Sequence, residues 1–346
     1  MPADGRYLVA ALVPVLLSAC DRSPTAAVTA QTGTAGVQER TITFQNGDVT
    51  LAGTYLRPAM PGRVPGVVLF HGSGPQARDL DTARWFAAQG VAALAYDKRG
   101  VGQSTGDFRR VPFMDLTRDG LAGVEWLRQR ADVDPSRVGV WGLSQGGWLG
   151  PLAASESNDV AFVIAVSGPG VSPGEQMVFY YENRLREADV ADSTIRDITV
   201  LRRDAWQAAF TRQGIPAVRA RIERLRPSVS NQQASAQLDD LIETLAHPDN
   251  DWIRNEMRYD PIVALRALHV PSLFVFGNED TLVPVPESID VIRRTLTTSH
   301  LADFTIRTIA GADHAMNVRP GASRQPRDQY EAAMRDWLNA HVLRPR

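Results

Sequence analysis

Residues 137–150 read Arg137-Val138-Gly139-Val140-Trp141-Gly142-Leu143-Ser144-Gln145-Gly146-Gly147-Trp148-Leu149-Gly150, and this stretch decides the fold. A short apolar run, Val138 to Trp141, ends in Gly142-Leu143-Ser144-Gln145-Gly146, and a helix-compatible segment follows. Strand, sharp Gly-x-Ser-x-Gly turn and helix together make a nucleophile elbow. Such a turn holds its serine in a strained conformation that only small neighbours permit. Gly142 and Gly146 are therefore expected as steric necessities, since a side chain at either would collide with the strand or the helix.

Outward from the elbow, the same alternation repeats. Thr41 to Gln45 and Val49 to Leu56 flank Asn46-Gly47-Asp48, a hairpin turn signal. Gly66 to Phe70 reads as a strand buried on both faces and ends in His71-Gly72-Ser73-Gly74-Pro75. A helix over 82–89, a strand over 91–96 and a helix over 114–130 lead into the elbow strand; another apolar strand, 162–166, follows it. The spacing predicts an α/β fold with a mostly parallel, doubly wound sheet whose ligands bind beyond the carboxyl ends of its strands.

From about Ser172 to Asp260 the alternation stops, and amphipathic helical patterns cover 177–188, 193–212, 217–225 and 233–245. This reads as a helical cap insertion, residues 172–260, between core segments 39–171 and 261–346. Strands return at 272–276 and 303–309, with helices near 288–296 and 327–342. The aromatics Phe179, Tyr180, Tyr181, Trp206, Trp252 and Tyr259 fall in the insertion; each is expected first as packing and second as pocket wall. Trp148 reads as core.

The composition of the 346 residues, 44% hydrophobic and 22% charged with net charge -2, is that of a soluble globular chain without a basic stripe, so nucleic acid is not an expected partner. Lysine occurs once, at Lys98, which leaves Ser-Lys dyads and Schiff-base chemistry almost nothing to draw on. The single cysteine, Cys20, excludes an intrachain disulfide and a cysteine-built metal site. No metal constellation and no phosphate-binding glycine loop stands out, so neither metal nor cofactor is expected. Cys20 closes Leu17-Ser18-Ala19-Cys20 behind an apolar run, Tyr7 to Leu17, that follows Arg6. Residues 1–19 read as a secretory signal. Its ending resembles a bacterial lipoprotein signal, which implies an exported chain held to membrane lipid through Cys20, facing the periplasm or cell exterior. Residues 20–38 are then a flexible tether.

Serine at its free pKa is a weak nucleophile, so Ser144 needs a base, and the base needs an orienting acid. With a nucleophile elbow the acid and then the histidine follow in the chain. His314, in the turn Ala310-Gly311-Ala312-Asp313-His314 after a strand, is the expected base. Asp280 ends the strand Leu273 to Phe276 through Gly277-Asn278-Glu279 and is the expected acid, with Glu279 and Asp313 as alternatives. The negative charge that builds on a carbonyl oxygen needs two backbone donors. The Gln145 amide, at the amino end of the elbow helix, is one; the Ser73 amide, in a loop shaped by Gly72 and Gly74, is the other. His247, His269, His300 and His341 read as structural.

Gly-Leu-Ser-Gln-Gly-Gly (142–147), His-Gly-Ser-Gly-Pro (71–75), Tyr-Asp-Lys-Arg-Gly-Val-Gly-Gln-Ser (96–104) and Gly-Asn-Glu-Asp (277–280) with Asp313-His314 resemble the alpha/beta-hydrolase superfamily. More narrowly, they resemble bacterial carboxylesterases whose oxyanion loop reads His-Gly-Ser-Gly-Pro and continues to Arg-Asp, here Arg78-Asp79. The resemblance runs from about Thr41 to the carboxyl terminus. It implies the eight-stranded hydrolase sheet and hydrolysis of small-molecule esters through an acyl-enzyme. Asp97-Lys98-Arg99-Gly100 then takes a structural role, its charges satisfying backbone groups in a crowded loop region. A peptidase or amidase, and a thioesterase or acyltransferase, could run on the same triad; a non-catalytic binding lipoprotein is the third class.

Overall fold

Eight strands form one sheet in the order β1-β2-β4-β3-β5-β6-β7-β8. They are β1 (Val37–Asn46), β2 (Val49–Pro58), β3 (Val64–Phe70), β4 (Ala92–Tyr96), β5 (Val133–Leu143), β6 (Val163–Val166), β7 (Ser272–Gly277) and β8 (Phe304–Ile309). The computed structural model describes residues 36–249, 251–317 and 325–344, and all of these elements fall in the unit Gly33–Arg346. The expected signal segment, Cys20 and most of the tether lie outside the described residues. At the tether's end β1 already begins at Val37, inside the stretch 20–38 read as flexible, because its residues pair fully with β2.

The hairpin β1–β2 turns through Gly47 and Asp48, with Gly47 at φ +57°, the positive φ that a two-residue hairpin loop demands. β2 runs antiparallel to β4, and every later pairing is parallel. β3, β4, β6 and β7 are buried along their whole lengths, because helices cover both faces and leave no polar side to alternate with. On one face α2 (Phe113–Arg128), α3 (Gln145–Glu156), α9 (Pro261–Ala267) and α10 (Val285–Thr298) bring Leu116, Leu127, Trp148, Leu265 and Ile292 against Val68, Val140 and Phe274. On the other, α1 (Leu80–Ala88) and α11 (Gln325–His341) bring Phe86, Met334, Trp337 and Leu338 against Val67, Ile164 and Leu273. Trp148 is core, as its sequence setting indicated.

Between β6 and β7 the chain is helical: α4 (Pro173–Glu187), α5 (Asp192–Thr211), α6 (Ile215–Leu225), α7 (Gln232–Ala246) and α8 (Asp251–Asn255). Its start is written locally: the Ser172 side chain accepts from the Glu175 amide, with Pro173 in the first turn. Asp260 likewise caps α9 by accepting from the Ile262 amide. α5, α6 and α7 share a separate apolar core, including Ile195, Ile198, Ile222, Leu238 and Leu241. Arg202 is buried in the insertion, its guanidinium carbon 3.6 Å from the Tyr181 ring centroid and its donors on Gln237 and Asp240. Tyr181 and Trp206 thus serve packing, and Tyr259 packs with Phe113 and Trp148. α8 and α9 have five and seven residues, too short to show a helical period in sequence.

Candidate active site

Ser144 joins β5 to α3 with φ 58° and ψ -115°, a region that costs a non-glycine residue about 1–3 kcal/mol. Surrounding backbone holds it there. The Ser144 amide donates to Val166 O at 2.9 Å, and the Gly147 amide donates to Ser144 O at 2.8 Å. A Cβ on Gly142 would stand 2.3 Å from Gly146 O, and one on Gly146 would stand 2.8 Å from Phe70 O. The turn is therefore closed to any side chain at either position, since backbone rather than movable side chain stands in the way.

Asp280 and His314 meet across two loops that follow neighbouring strands. Asp280 Oδ2 lies 2.8 Å from His314 Nδ1, while Oδ1 accepts the amides of Leu282 and Val283 at 2.8 and 3.0 Å. The carboxylate side chain is fully buried and the imidazole 15% exposed. With Nδ1–H donating to Asp280, Nε2 carries the lone pair. Of the alternatives, Asp313 Oδ1 accepts the amides of Ala315 and Asn317, shaping the turn that bears His314; Glu279 stands half-buried, its amide donating to Ala312 O. Ser167 gathers the parts: its amide donates to Val275 O at 2.7 Å and its Oγ to His314 O at 2.8 Å. The segments bearing Ser144 and His314 thus both attach to the carboxyl end of β6.

The loop after β3 is held with equal care. His71 Nε2 lies 2.6 Å from Tyr96 O. Burial, helped by the Lys98 charge, pushes the His71 imidazole down to about 3, so it stays neutral and donates Nε2–H to that carbonyl. The Gly72 amide donates to Gln76 Oε1 at 2.8 Å, and Gly74 has φ +77°. Lys98 Nζ donates to Gly72 O at 2.8 Å, Gly74 O at 3.2 Å and Gln145 Oε1 at 2.8 Å. Arg78 forks onto Asp97, and Arg99 onto Asp119. The charges of 97–99 serve the loops around the elbow, as read from the sequence.

Glu256 has no role in the sequence reading, and Gln145 has one there only through its amide. Gln145 Nε2 lies 3.4 Å from Glu256 Oε2, which belongs to the helical insertion. Burial raises the Glu256 carboxyl to about 7, against the pull of Lys98; burial lowers the Lys98 ammonium to about 8, against Glu256 and Asp119. Only the isolation of Lys98 among arginines signalled any of this in advance. Among the described residues no cluster of His, Cys, Asp and Glu could hold a metal ion, and no helix is long and apolar enough to cross a membrane.

A strained serine at a helix amino end and a carboxylate-oriented imidazole, on segments that both attach to the carboxyl end of β6, suit acyl transfer to a hydroxyl nucleophile. Comparison with known proteins leads the same way. A family model for the X-Pro dipeptidyl-peptidase (S15 family) matches residues 13–300. The chain is 32% identical over 129 residues to the quorum-quenching protein AidA of Acinetobacter baumannii, covering 36% of this chain and 42% of that protein. It is 29% identical over 170 residues to the esterase EstD of Thermotoga maritima, covering 46% and 40%. The chain thus spans about two fifths of the length of these curated relatives. The crystal structure of the alpha/beta hydrolase GrgF from Penicillium sp. superposes with a TM-score of 0.57 at 18% identity, covering 88% of this chain and 99% of that one. The fold is the alpha/beta-hydrolase fold.

Proposed function

The chain belongs to the X-Pro dipeptidyl-peptidase (S15) family, and within it we propose a serine carboxylesterase that acts on small or medium acyl esters through an acyl-enzyme. Ser144 Oγ attacks the ester carbonyl as His314 Nε2 takes its proton. Asp280 keeps the imidazole in the productive tautomer and stabilises the imidazolium. The tetrahedral oxyanion accepts from the amides of Gln145 and Ser73. His314 then protonates the departing alkoxide, and water, activated by the same imidazole, frees the acid. The observations that support this reading are the 2.8 Å Asp280–His314 bond, a Ser144 held at positive φ, and the attachment of the segments bearing Ser144 and His314 to the carboxyl end of β6.

The likeness to an enzyme named as an esterase supports ester substrates, and the family match supports peptides as the second reading. A panel of p-nitrophenyl esters against an X-Pro p-nitroanilide separates them. The esters are expected to turn over and Ser144→Ala to abolish that turnover. Faster cleavage of the anilide would install the peptidase reading, and an active Ser144→Ala variant would sink both.

We also infer that the chain is exported and anchored to membrane lipid through Cys20, on the strength of Leu17-Ser18-Ala19-Cys20. Cys20→Ser is expected to move the protein out of the membrane fraction. Unchanged membrane retention would refute the anchor.

A further inference from the structure

Lys98 is the one lysine among 346 residues; every other basic side chain is arginine. It is also 2% exposed, a costly place for an ammonium unless its protons are taken. An ammonium has three donors, and here the three go to Gly72 O, Gly74 O and Gln145 Oε1. Those acceptors come from two different segments. An arginine fork, planar and rigid, does not reproduce three donors diverging from one atom.

The consequence lies in the peptide between Gly72 and Ser73. A trans peptide is planar, and its N–H points opposite to its C=O; none of the described peptide bonds is cis. Lys98 draws Gly72 O towards itself and thereby turns the Ser73 N–H the other way. Gln76 supports the same setting, its side chain taking the Gly72 amide and its carbonyl accepting the Lys98 amide at 3.0 Å. On the far side, Gln145 places its oxygen on Lys98 and its Nε2 towards Glu256. The Met257 carbonyl beside Glu256 accepts the Gly174 amide of α4, and the Gln176 side chain donates to Leu282 O. The insertion, the oxyanion loop and the residue after Ser144 are joined in one hydrogen-bonded chain.

We propose that Lys98 and Glu256 are positioning residues of the hydrolytic site: Lys98 aims the Ser73 amide at the oxyanion, and Glu256 keeps Gln145 turned towards Lys98, locking the helical insertion to the oxyanion loop. This rests on the roles assigned above to Ser144, Ser73 and Gln145. The sites of the full chain are counted by titrating one aliquot at Ser144 with a fluorophosphonate, and kcat per titratable site is measured on the untreated remainder with p-nitrophenyl acetate for wild type, Lys98→Met and Glu256→Met, which removes the acceptor for Gln145. Removal of one oxyanion donor costs about 100- to 1000-fold, so kcat is expected to fall about 100-fold in Lys98→Met and about 10-fold in Glu256→Met, with KM within about two-fold. The affinity of a trifluoromethyl ketone, which forms the tetrahedral adduct, falls by the factor lost from kcat/KM.

A purely structural role would lower the titratable fraction and leave the ketone affinity of the untreated, active enzyme unchanged; that result overturns the proposal. So does wild-type kcat in both variants. Should Lys98→Met not fold, Glu256→Met, which keeps the length of the side chain and removes its acceptor, decides alone. A wild type that the fluorophosphonate does not label overturns the serine-hydrolase reading together with this one, whereas a labelled wild type with indifferent variants overturns only this one.

Discussion

Asp280 holds His314 through a carboxylate that has no freedom left. Its Oδ2 lies 2.8 Å from His314 Nδ1, and its Oδ1 takes the amides of Leu282 and Val283. Such a carboxylate can neither rotate away nor exchange its partner for water, since its side chain is fully buried.

Exchange of Asp280 for Asn leaves the shape but offers Nδ1 a donor where it needs an acceptor, so the imidazole is set in the wrong tautomer. Turnover of an activated ester is expected to drop by about 10⁴-fold. Glu279→Gln, one residue away, is expected to change it by less than about two-fold. Steady-state kinetics on the two variants decide between the carboxylates, and equal losses would remove Asp280 from its role.

Gly142 and Gly150 should respond to alanine with opposite signs. A Cβ on Gly142 meets Gly146 backbone at 2.3 Å, whereas one on Gly150, inside α3, meets only Val163 Cγ1 and Val140 Cγ2 at 3.4 and 3.5 Å. Gly142→Ala is expected to cost more than about 4 kcal/mol or to prevent folding. Gly150→Ala gains helix propensity of about 0.5–1 kcal/mol. Urea unfolding checks both, and a well-folded Gly142→Ala would contradict the closed turn.

His71 gives stability an acid limb. Its folded pKa is pushed from 6.5 down to about 3, so between these values the unfolded chain binds a proton that the native chain refuses. The contribution is full above pH 6.5 and is lost as pH falls towards 3. His71→Gln, which keeps a donor for Tyr96 O, should lose less stability than wild type between pH 7.5 and 4.5. Equal shifts of the urea midpoint would show that His71 is not the group responsible.

Arg99 and Asp119 form a buried two-point pair, with Nε–Oδ2 at 2.6 Å and Nη2–Oδ1 at 2.7 Å, and Asp119 also accepts from Asn46 in the first hairpin. Asp119→Asn strands the guanidinium beside the Asp115 carbonyl. A loss of about 3–5 kcal/mol is expected, because one charge stays buried without its partner. Thermal or urea denaturation measures it; a loss below about 1 kcal/mol would mean that water reaches the site.

Much of this fold can be read in short stretches. The run Val138 to Trp141 becomes the last turnless part of β5, and the Asn46-Gly47-Asp48 signal becomes the β1–β2 hairpin. Long helical periods, such as 193–212, reappear as α5 at Asp192–Thr211. The misses are equally physical. β5 starts at Val133, earlier than its apolar run, because Val133 pairs with Val64 across a register shift, and that pairing is non-local. α8 and α9 are too short for a period. The acid is no miss: Asp280 is the residue expected from its place after the strand, ahead of Glu279 and Asp313, and the backbone path after β7 sets it against the ring.

What the sequence determined by itself was whatever depends on a few consecutive residues: burial patterns of strands and helices, and an elbow in which Gly142 and Gly146 leave room for Ser144. These follow from local sterics and from the period with which side chains alternate. Tertiary structure alone decided the partners of side chains far apart in the chain. Lys98 and Gln145 are 47 residues apart, and Gln145 and Glu256 are 111 apart. A hydrogen bond needs donor and acceptor within a few tenths of an ångström of 2.9 Å and well aligned, and no local pattern carries that information until the sheet has set its strands side by side.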